Sequence, residues 1–166
     1  MNMTLRSATL ADLPTINYWN KKPHVIFASG EDDLDEDVWM KEQLINSSEF
    51  VIIFVAEKDK RPIGLIQICD PKNEETHYWG KINAGYRAID IWIGEESDLG
   101  KGYGTEIMKL TIEYCFKSQG VHSIIIDPLV KNMRAIKFYE KMGFKFVENR
   151  YFDQYYCAVY KLDKTY

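Results

Sequence analysis

The chain has 166 residues, of which 46% are hydrophobic and 28% charged, and its net charge is −4. These values are ordinary for a globular protein with a substantial core, and we expect a single domain over residues 1–166. No stretch approaches the roughly 18 apolar residues of a membrane span, and the N-terminus lacks the layout of a signal peptide, so we expect a cytoplasmic protein without a membrane partner.

The charge is unevenly distributed along the chain. Residues 1–100 contain 10 Lys/Arg and 18 Asp/Glu, whereas residues 101–166 contain 11 and 7. An acidic half and a basic half favour one cationic and one anionic partner, although a chance partition of surface charge is equally compatible.

The three cysteines, Cys69, Cys115 and Cys157, are odd in number, widely spaced and set among apolar or aromatic neighbours. This pattern favours reduced core residues over disulfides or metal ligands. His24 and His77 are isolated and have no metal-ligand spacing. We therefore expect no metal.

The first half of the chain predicts alternating elements. Residues 3–9 predict a strand, residues 12–20 a helix, and residues 35–45 an amphipathic helix. The β-branched runs 50–58 and 62–70 flank a turn and predict an antiparallel hairpin. Residues 73–83 predict a polar and aromatic loop, and residues 85–94 a further strand.

The second half adds two helices and three strands. A helix is predicted over 103–120, ended by Gly120, and a buried strand over 122–127. Another helix over 132–143 has Asn132 as its N-cap and Gly143 just past its end. Residues 144–162 predict two closing strands. The fold class is therefore α+β, with no internal repeat.

Three glycines alternate at Gly100, Gly102 and Gly104, between a predicted strand and a predicted helix. Bare amides at a helix N-terminus are suited to binding phosphate. The spacing excludes two nucleotide motifs, because no G-K-[ST] occurs and G-x-G-x-x-G would need glycine at Thr105 or Ile107.

The stretch "LGKGYGTEIM" resembles the acyl-CoA pyrophosphate loop of the GNAT superfamily of N-acetyltransferases, [QR]-x-x-G-x-[GA]. Gly102 and Gly104 occupy the two small positions, and Leu99 stands where Gln or Arg is commonest. The stretch "NMRAIKFYEKMGF" is similar to the family's N-x-x-A-x-x-[FLC]-Y-x-x-x-G-F helix. The resemblance implies the GNAT fold, a central mixed and mostly antiparallel sheet flanked by helices, and acetyl-CoA as the acetyl donor.

The resemblance also implies which residues hold the donor. The pyrophosphate would lie on the loop, formed by Leu99, Gly100, Lys101, Gly102, Tyr103, Gly104 and Thr105. The pantetheine arm would pair with the main chain of Ile91, Trp92 and Ile93 and bond to Asn132, with Ala135 and Phe138 from the same helix motif completing the site. Tyr139 would be the general acid near the sulfur, although its position on the apolar stripe also fits a core aromatic residue.

Two longer stretches, "GYRAIDIWIGEESDLGKGYG" and "IIIDPLVKNMRAIKFYEKMGF", look like aminoglycoside 6'-N-acetyltransferases. Asp90 then falls at the strand carboxylate that handles the acceptor amine, and Asp127 at the acid that contacts the polycationic sugar. From the residues alone, Asp90 also fits a solvent-facing strand position, and Asp127 an ordinary turn acid before Pro128.

Further residues are candidates for binding the acceptor. Six acids lie in positions 31–37, Asp32 and Asp33 among them, and form either an acidic rim or a helix N-terminus. Glu74 and Glu75 would add to such a rim. The aromatic candidates for packing against sugar rings are Trp19, Tyr78 and Trp79, which also fit local cores.

These features together predict an acetyl-CoA-dependent N-acetyltransferase acting on the 6'-amine of an aminoglycoside, as a monomer or homodimer without a nucleic-acid partner. One alternative is the same chemistry on a protein N-terminus, a polyamine or a hydroxamate-siderophore precursor. Another is an acyl-CoA-binding module without turnover, for which loss of the acids at positions 90 and 139 would be expected, yet Asp90 and Tyr139 are present.

Overall fold

The computed structural model describes residues 2–30 and 48–165. Its strands are β1 Met3–Ser7, β2 Val51–Lys58, β3 Arg61–Cys69, β4 Tyr86–Ile93, β5 Ser123–Ile126, β6 Lys145–Phe152 and β7 Tyr155–Asp163. Its helices are α1 Leu13–Asn20, α2 Pro23–Ser29, α3 Tyr103–Lys117 and α4 Met133–Lys141. The helix predicted over 35–45 and the acidic stretch 31–37, with Asp32 and Asp33, lie outside the described residues.

The described strands form one sheet in the order β1-β2-β3-β4-β5-β7-β6. Neighbouring strands are antiparallel except β4 and β5, which are parallel. The mixed, mostly antiparallel sheet and the hairpin of β2 and β3 are therefore confirmed.

One helix was not predicted from the sequence. α2 has seven residues, with Pro23 in its first turn and Gly30 in the left-handed conformation just past its end. Both residues are typical helix boundaries, but a helix of this length is too short for its hydrophobic periodicity to stand out.

The helices cover both faces of the sheet. On one face, Ile89 and Ile93 of β4 pack in a cluster with Ile107 of α3 and Tyr139 of α4. On the other face, Ile53 and Leu65 pack with Ile16 of α1, and Ala88 and Ile125 pack with Trp79 and Phe152. No helix among the described residues is long and apolar enough to cross a membrane.

All three cysteines carry free thiols, as predicted. Cys115 and Cys157 are buried, and burial raises the pKa of each thiol to about 12. Cys69 is only half-buried, so the prediction of a core position holds fully for the first two.

The parallel strands β4 and β5 pair over a short distance and then part. Their last pair is Ala88 with Ile125, whereas β4 remains paired with β3 as far as Ile93. Beyond Ala88, β4 therefore has a strand partner on one edge only among the described residues. We call this opening the split.

Candidate active site

Asp90 and Asp127 lie on either side of the split. Each follows the last β4–β5 pair, Ala88 with Ile125, by two residues. Because the strands are parallel and side chains alternate between faces, the two acids occupy the same level and the same sheet face. Asp90 is exposed and Asp127 half-buried. The tertiary structure thus brings together two acids that are 37 positions apart in the chain.

Both acids hold their protons more strongly than ordinary carboxyl groups. Desolvation raises the pKa of Asp90 to about 6. Desolvation, followed by repulsion from Asp90, raises the pKa of Asp127 to about 7. The Asp90 side chain still reaches solvent, and its carboxylate has no hydrogen-bond or ion-pair partner within the described part of the chain. An incoming ammonium group would supply that partner.

Tyr78 orients Asp127. Its hydroxyl donates a hydrogen bond of 2.6 Å to Asp127 Oδ2, and its ring stacks on Phe152 with a centroid distance of 4.6 Å. The Arg150 guanidinium lies 4.5 Å from the Phe152 ring centroid and lowers the pKa of Asp127 slightly through its charge. The sequence predicts Tyr78 either as a sugar-packing residue or as part of a local core, and its separation of 49 positions from Asp127 hides this contact.

Glu74 does not belong to an acidic rim. It is buried, and its carboxylate accepts hydrogen bonds from the main-chain amides of Thr76 and Tyr78 and from the Thr76 hydroxyl. Glu74 thereby fixes the loop that carries Tyr78. Glu75 is exposed and remains a predicted rim residue.

Trp19 and Trp79 are not available to stack on a sugar. Trp19 is 2% exposed, and a Cβ on Gly94 would collide with its indole ring. Trp79 is also buried and packs against Phe152. Both predictions of sugar contact are therefore wrong, because large aromatic rings gain more from covering the sheet than from exposure at a rim.

The glycine loop has the geometry of an anion cradle. Gly100 and Gly102 have φ of 77° and 83°, and a Cβ on either would meet nothing within 4 Å. The five consecutive amides of residues 100–104 make no hydrogen bond with the described chain, whereas Thr105 N and Glu106 N both donate to Gly102 O. These amides open onto the N-terminus of the 15-residue α3. A diphosphate such as that of CoA fits this cradle.

The start of the loop is anchored by a buried acid. Asp98 is 3% exposed and accepts two hydrogen bonds from Arg61, of 2.7 and 3.0 Å. Lys101 Nζ lies 3.4 Å from Asp98 Oδ1, and the hydrogen bonds from Arg61 hold the pKa of Asp98 below its usual range. The Lys101 ammonium is therefore already paired with a carboxylate of the same chain. Its predicted contact with phosphate would have to compete with this ion pair.

The main chain of β4 presents alternate residues to the split. Gly94 N donates to Ile63 O, so the main-chain groups of Trp92 face β3, and those of Ile91 and Ile93 face the opposite edge. The predicted pairing of Trp92 with a pantetheine arm is therefore wrong for its main chain.

His24 of α2 occupies part of this edge. Its Nε2 lies 2.9 Å from Ile93 O, while its Nδ1 is buried without a partner. Donation to a carbonyl places the proton on Nε2. Sequence reasoning missed this contact because a lone histidine on a short helix carries no pattern.

α4 brings three predicted residues toward the loop and the split. Asn132 Oδ1 caps the helix by accepting from Ala135 N at 3.2 Å. The Phe138 ring lies 3.7 Å from the Cβ position of Gly104. Tyr139 is 8% exposed, and its hydroxyl has no partner in the described structure. Burial, with the nearby charges of Asp90 and Asp127, raises the Tyr139 pKa, so this hydroxyl keeps its proton at neutral pH.

Comparison with known proteins agrees with this arrangement. The profile of the acetyltransferase (GNAT) domain matches residues 8–152. The chain belongs to the GNAT acetyltransferase family. Aminoglycoside N(6')-acetyltransferase type 1 from Klebsiella pneumoniae is 32% identical over 149 residues, which cover 87% of this chain and 74% of the relative. The GNAT chain aligns equally well with the enzyme of the same name from Serratia marcescens.

Solved structures confirm the GNAT fold. The aminoglycoside acetyltransferase AAC(6')-Ib in complex with coenzyme A superposes with a TM-score of 0.87 and 28% identity, over 98% of this chain and 95% of that one. The complex of the same enzyme with coenzyme A and kanamycin gives the same TM-score at 26% identity, over the same shares of the two chains. A spermidine N-acetyltransferase from Vibrio cholerae, with a TM-score of 0.72 and 22% identity over 96% of this chain and 92% of that one, shares the fold.

Proposed function

We propose that this GNAT protein transfers the acetyl group of acetyl-CoA to an aminoglycoside, with the 6'-amine as the acceptor group. The observation that carries the proposal is the pair Asp90 and Asp127, set at one level across the split. Two carboxylates so placed can hold two ammonium groups of a polycationic sugar. The relatives named as aminoglycoside N(6')-acetyltransferases support the same acceptor.

The two acids have different tasks in this proposal. Asp90, which has no internal partner, receives the ammonium that reacts and accepts its proton, directly or through a water molecule. Asp127, held in place by Tyr78, binds a second ammonium and orients the sugar. A base with a pKa of about 6 is mostly ionised at neutral pH and still able to take a proton.

The proposed general acid, Tyr139, lies on the face of the sheet opposite to Asp90. Acetyl-CoA provides the thioester whose acetyl group passes to the amine. The Tyr139 hydroxyl, which keeps its proton at neutral pH and has no internal partner, donates that proton to the sulfur as the C–S bond breaks. The acylated nitrogen then loses its second proton to solvent, and the Tyr139 hydroxyl regains a proton from solvent. Asp90 and Tyr139 approach from opposite sheet faces, so proton removal and proton supply are spatially separate.

The donor would be held by main-chain groups. The amides of residues 100–104 would bind the diphosphate, and Ile91 would offer its main-chain groups at the split. The Asn132 side-chain amide nitrogen, left free when Oδ1 caps α4, would bond the pantetheine arm. Main-chain ligands are fixed by the fold, so the thioester can be positioned without side-chain entropy cost.

A polyamine is the second candidate acceptor, because the same acid pair could bind an aliphatic diamine. An amine panel separates the candidates by the rate of CoA release from acetyl-CoA. We expect turnover with an aminoglycoside bearing a 6'-amine and little with a matched aminoglycoside bearing a 6'-hydroxyl. If polyamines are turned over faster than aminoglycosides, a polyamine is the acceptor. If the protein binds CoA but acetylates no amine, it is a binding module.

A further inference from the structure

The short helix α2 bridges the split. Near its start, the His24 ring lies on the β4 side, with Nε2 2.9 Å from Ile93 O. Further along the helix, the centroid of the Phe27 ring lies 5.5 Å from Lys131 Nζ, and Lys131 belongs to the segment that follows β5. Beyond the level of Asp90, α2 therefore contacts the chain on both sides of the split.

His24 takes a main-chain group that β4 presents at the split. Past Asp90, these groups are the N–H and C=O of Ile91 and of Ile93, because the residue between them faces β3. The Ile93 carbonyl accepts from His24 Nε2, while the next amide, Gly94 N, donates to β3. Among the described residues this leaves Ile91 O as the free carbonyl of this part of β4.

We propose that His24 is a positioning residue, which sets the register of the acetyl-CoA arm along β4. The inference rests on the donor site proposed above. Amide N–H groups of the pantetheine arm pair with strand carbonyls as a neighbouring strand would. Because His24 already donates to Ile93 O, such an N–H finds its free carbonyl at Ile91, the residue next to Asp90. Pairing at Ile93 instead would shift the arm by two residues, about 7 Å along the strand.

The other ring nitrogen of His24 supports a role for the bond to Ile93. Nδ1 is buried and has no hydrogen-bond partner, which costs free energy. A side chain kept at this position for packing alone would avoid that cost. Because Nδ1 is closed to solvent, it is also not placed to exchange a proton with a substrate amine. His24 therefore acts through the Ile93 carbonyl and not as a base.

Substitutions at His24 separate positioning from packing. In His24→Leu the Ile93 carbonyl becomes free to pair with the arm, so calorimetry should show acetyl-CoA binding at least as tight as in the wild type. We expect kcat to fall about tenfold or more, because the thioester is misplaced, and the donor KM to fall with it, as non-productive binding requires. His24→Gln keeps an N–H donor on a side chain of similar length, and should keep kcat and KM near their wild-type values.

Lys22→Gln is the matched control. Lys22 directly precedes α2, and its Nζ lies 3.2 Å from Glu95, just past the end of β4. The variant therefore loses another contact between the start of α2 and the end of β4, and we expect wild-type kinetics from it. Weaker acetyl-CoA binding or an unchanged kcat in His24→Leu would overturn the inference. Equal effects of His24→Leu and Lys22→Gln would show that His24 merely anchors α2.

Nitrogen NMR of the imidazole rings tests the contact without turnover. The chain has three histidines, so a comparison with His24→Gln identifies the signals of His24. During a titration with coenzyme A at mildly alkaline pH, the Nε2–H signal should persist, because the arm pairs beside His24 and does not displace it. Loss of this signal on binding would overturn the inference and leave the proposed reaction intact. A persistent signal in a protein that acetylates no amine would overturn the proposed function and leave the contact intact.

Discussion

The Tyr78 hydroxyl lies 2.6 Å from Asp127 Oδ2 and donates a hydrogen bond to it. This bond lowers the pKa of Asp127, against the larger effects of desolvation and of repulsion by Asp90. A residue on the loop after β3 therefore influences how much negative charge the acid pair carries near neutral pH.

Removing the Tyr78 hydroxyl tests this relationship. We expect Tyr78→Phe to raise the KM for a polycationic acceptor about tenfold at neutral pH, since a hydrogen bond to a charged group is worth about 1.5–3 kcal/mol and about 1.4 kcal/mol is a factor of ten. The affinity for acetyl-CoA should not change. Tyr114→Phe, on the opposite face of the sheet, is the matched control, and equal KM values for the two variants would contradict the assignment.

Asp90→Asn tests the proposed base. The substitution keeps the shape of the side chain but removes its charge and its capacity to take a proton. We expect kcat to fall roughly 10²-fold or more, the usual scale for a positioned general base, while calorimetry still shows acetyl-CoA binding. Asp59→Asn in the β2–β3 turn is the control. A near-native kcat for Asp90→Asn would assign Asp90 a structural role.

The pH dependence of the rate follows from the two raised pKa values. Protonated acids neither attract an ammonium group nor accept its proton. We therefore expect kcat/KM for the acceptor to rise as the pH passes through about 6 and about 7 and then to level off. In Tyr78→Phe the upper part of the rise should move to higher pH, because the lost hydrogen bond had favoured the ionised form of Asp127. A flat profile over this range would contradict the role of the pair.

The same shifts predict that the acid pair destabilises the folded protein at neutral pH. A carboxyl group whose folded pKa lies above its ordinary 3.8 binds more protons in the folded state than in the unfolded state. The protonated Asp90 carboxyl group therefore contributes fully to the free energy of unfolding below pH 3.8, and this contribution is lost as the pH rises through about 6.

Thermal melts of Asp90→Asn therefore have a defined pH dependence. We expect the variant to have a higher Tm than the wild type above pH 7, and the difference to disappear as the pH falls below the ordinary carboxyl pKa. Asp59→Asn again serves as the control. A variant that is less stable than the wild type at high pH would mean that Asp90 makes a stabilising contact in the fold.

The glycine loop offers a matched pair of substitutions. Gly102 and Gly120 have φ of 83° and 79°, and a Cβ on either would meet nothing within 4 Å. Gly102→Ala and Gly120→Ala should therefore cost similar backbone strain. We expect only Gly102→Ala to weaken acetyl-CoA binding, by about tenfold or about 1.4 kcal/mol. Acetyl-CoA should bind without added Mg²⁺. Equal affinities in calorimetry would mean that the diphosphate does not lie over Gly102.

Local patterns in the sequence predicted most of the elements around the site. The period-2 run of β4, the glycines before α3 and the Asn132 cap are signals between near neighbours, and strand, turn and cap chemistry act over the same short range. The family motifs identified the glycine loop as a candidate site for acetyl-CoA, and Asp90 and Asp127 as candidate residues for binding the acceptor.

Other features depend on residues that are far apart in the chain. The split exists because β4 and β5 stop pairing after Ala88 and Ile125, and only that geometry places Asp90 level with Asp127. The bond from Tyr78 to Asp127 spans 49 positions. No local pattern contains either relationship, because each depends on the packing of distant segments.

The sequence by itself therefore determined the α+β class, the glycine-rich loop before α3 and the chemical types of the candidate site residues, since these follow from local periodicity and residue identity. Only the tertiary structure decided that Trp19 packs against Gly94 instead of lying exposed for a sugar ring. It also decided that the Glu74 carboxylate accepts hydrogen bonds within its own loop. Burial is a property of the whole packed chain, in which an aromatic ring or a carboxylate takes the position that satisfies most of its surface and its hydrogen bonds.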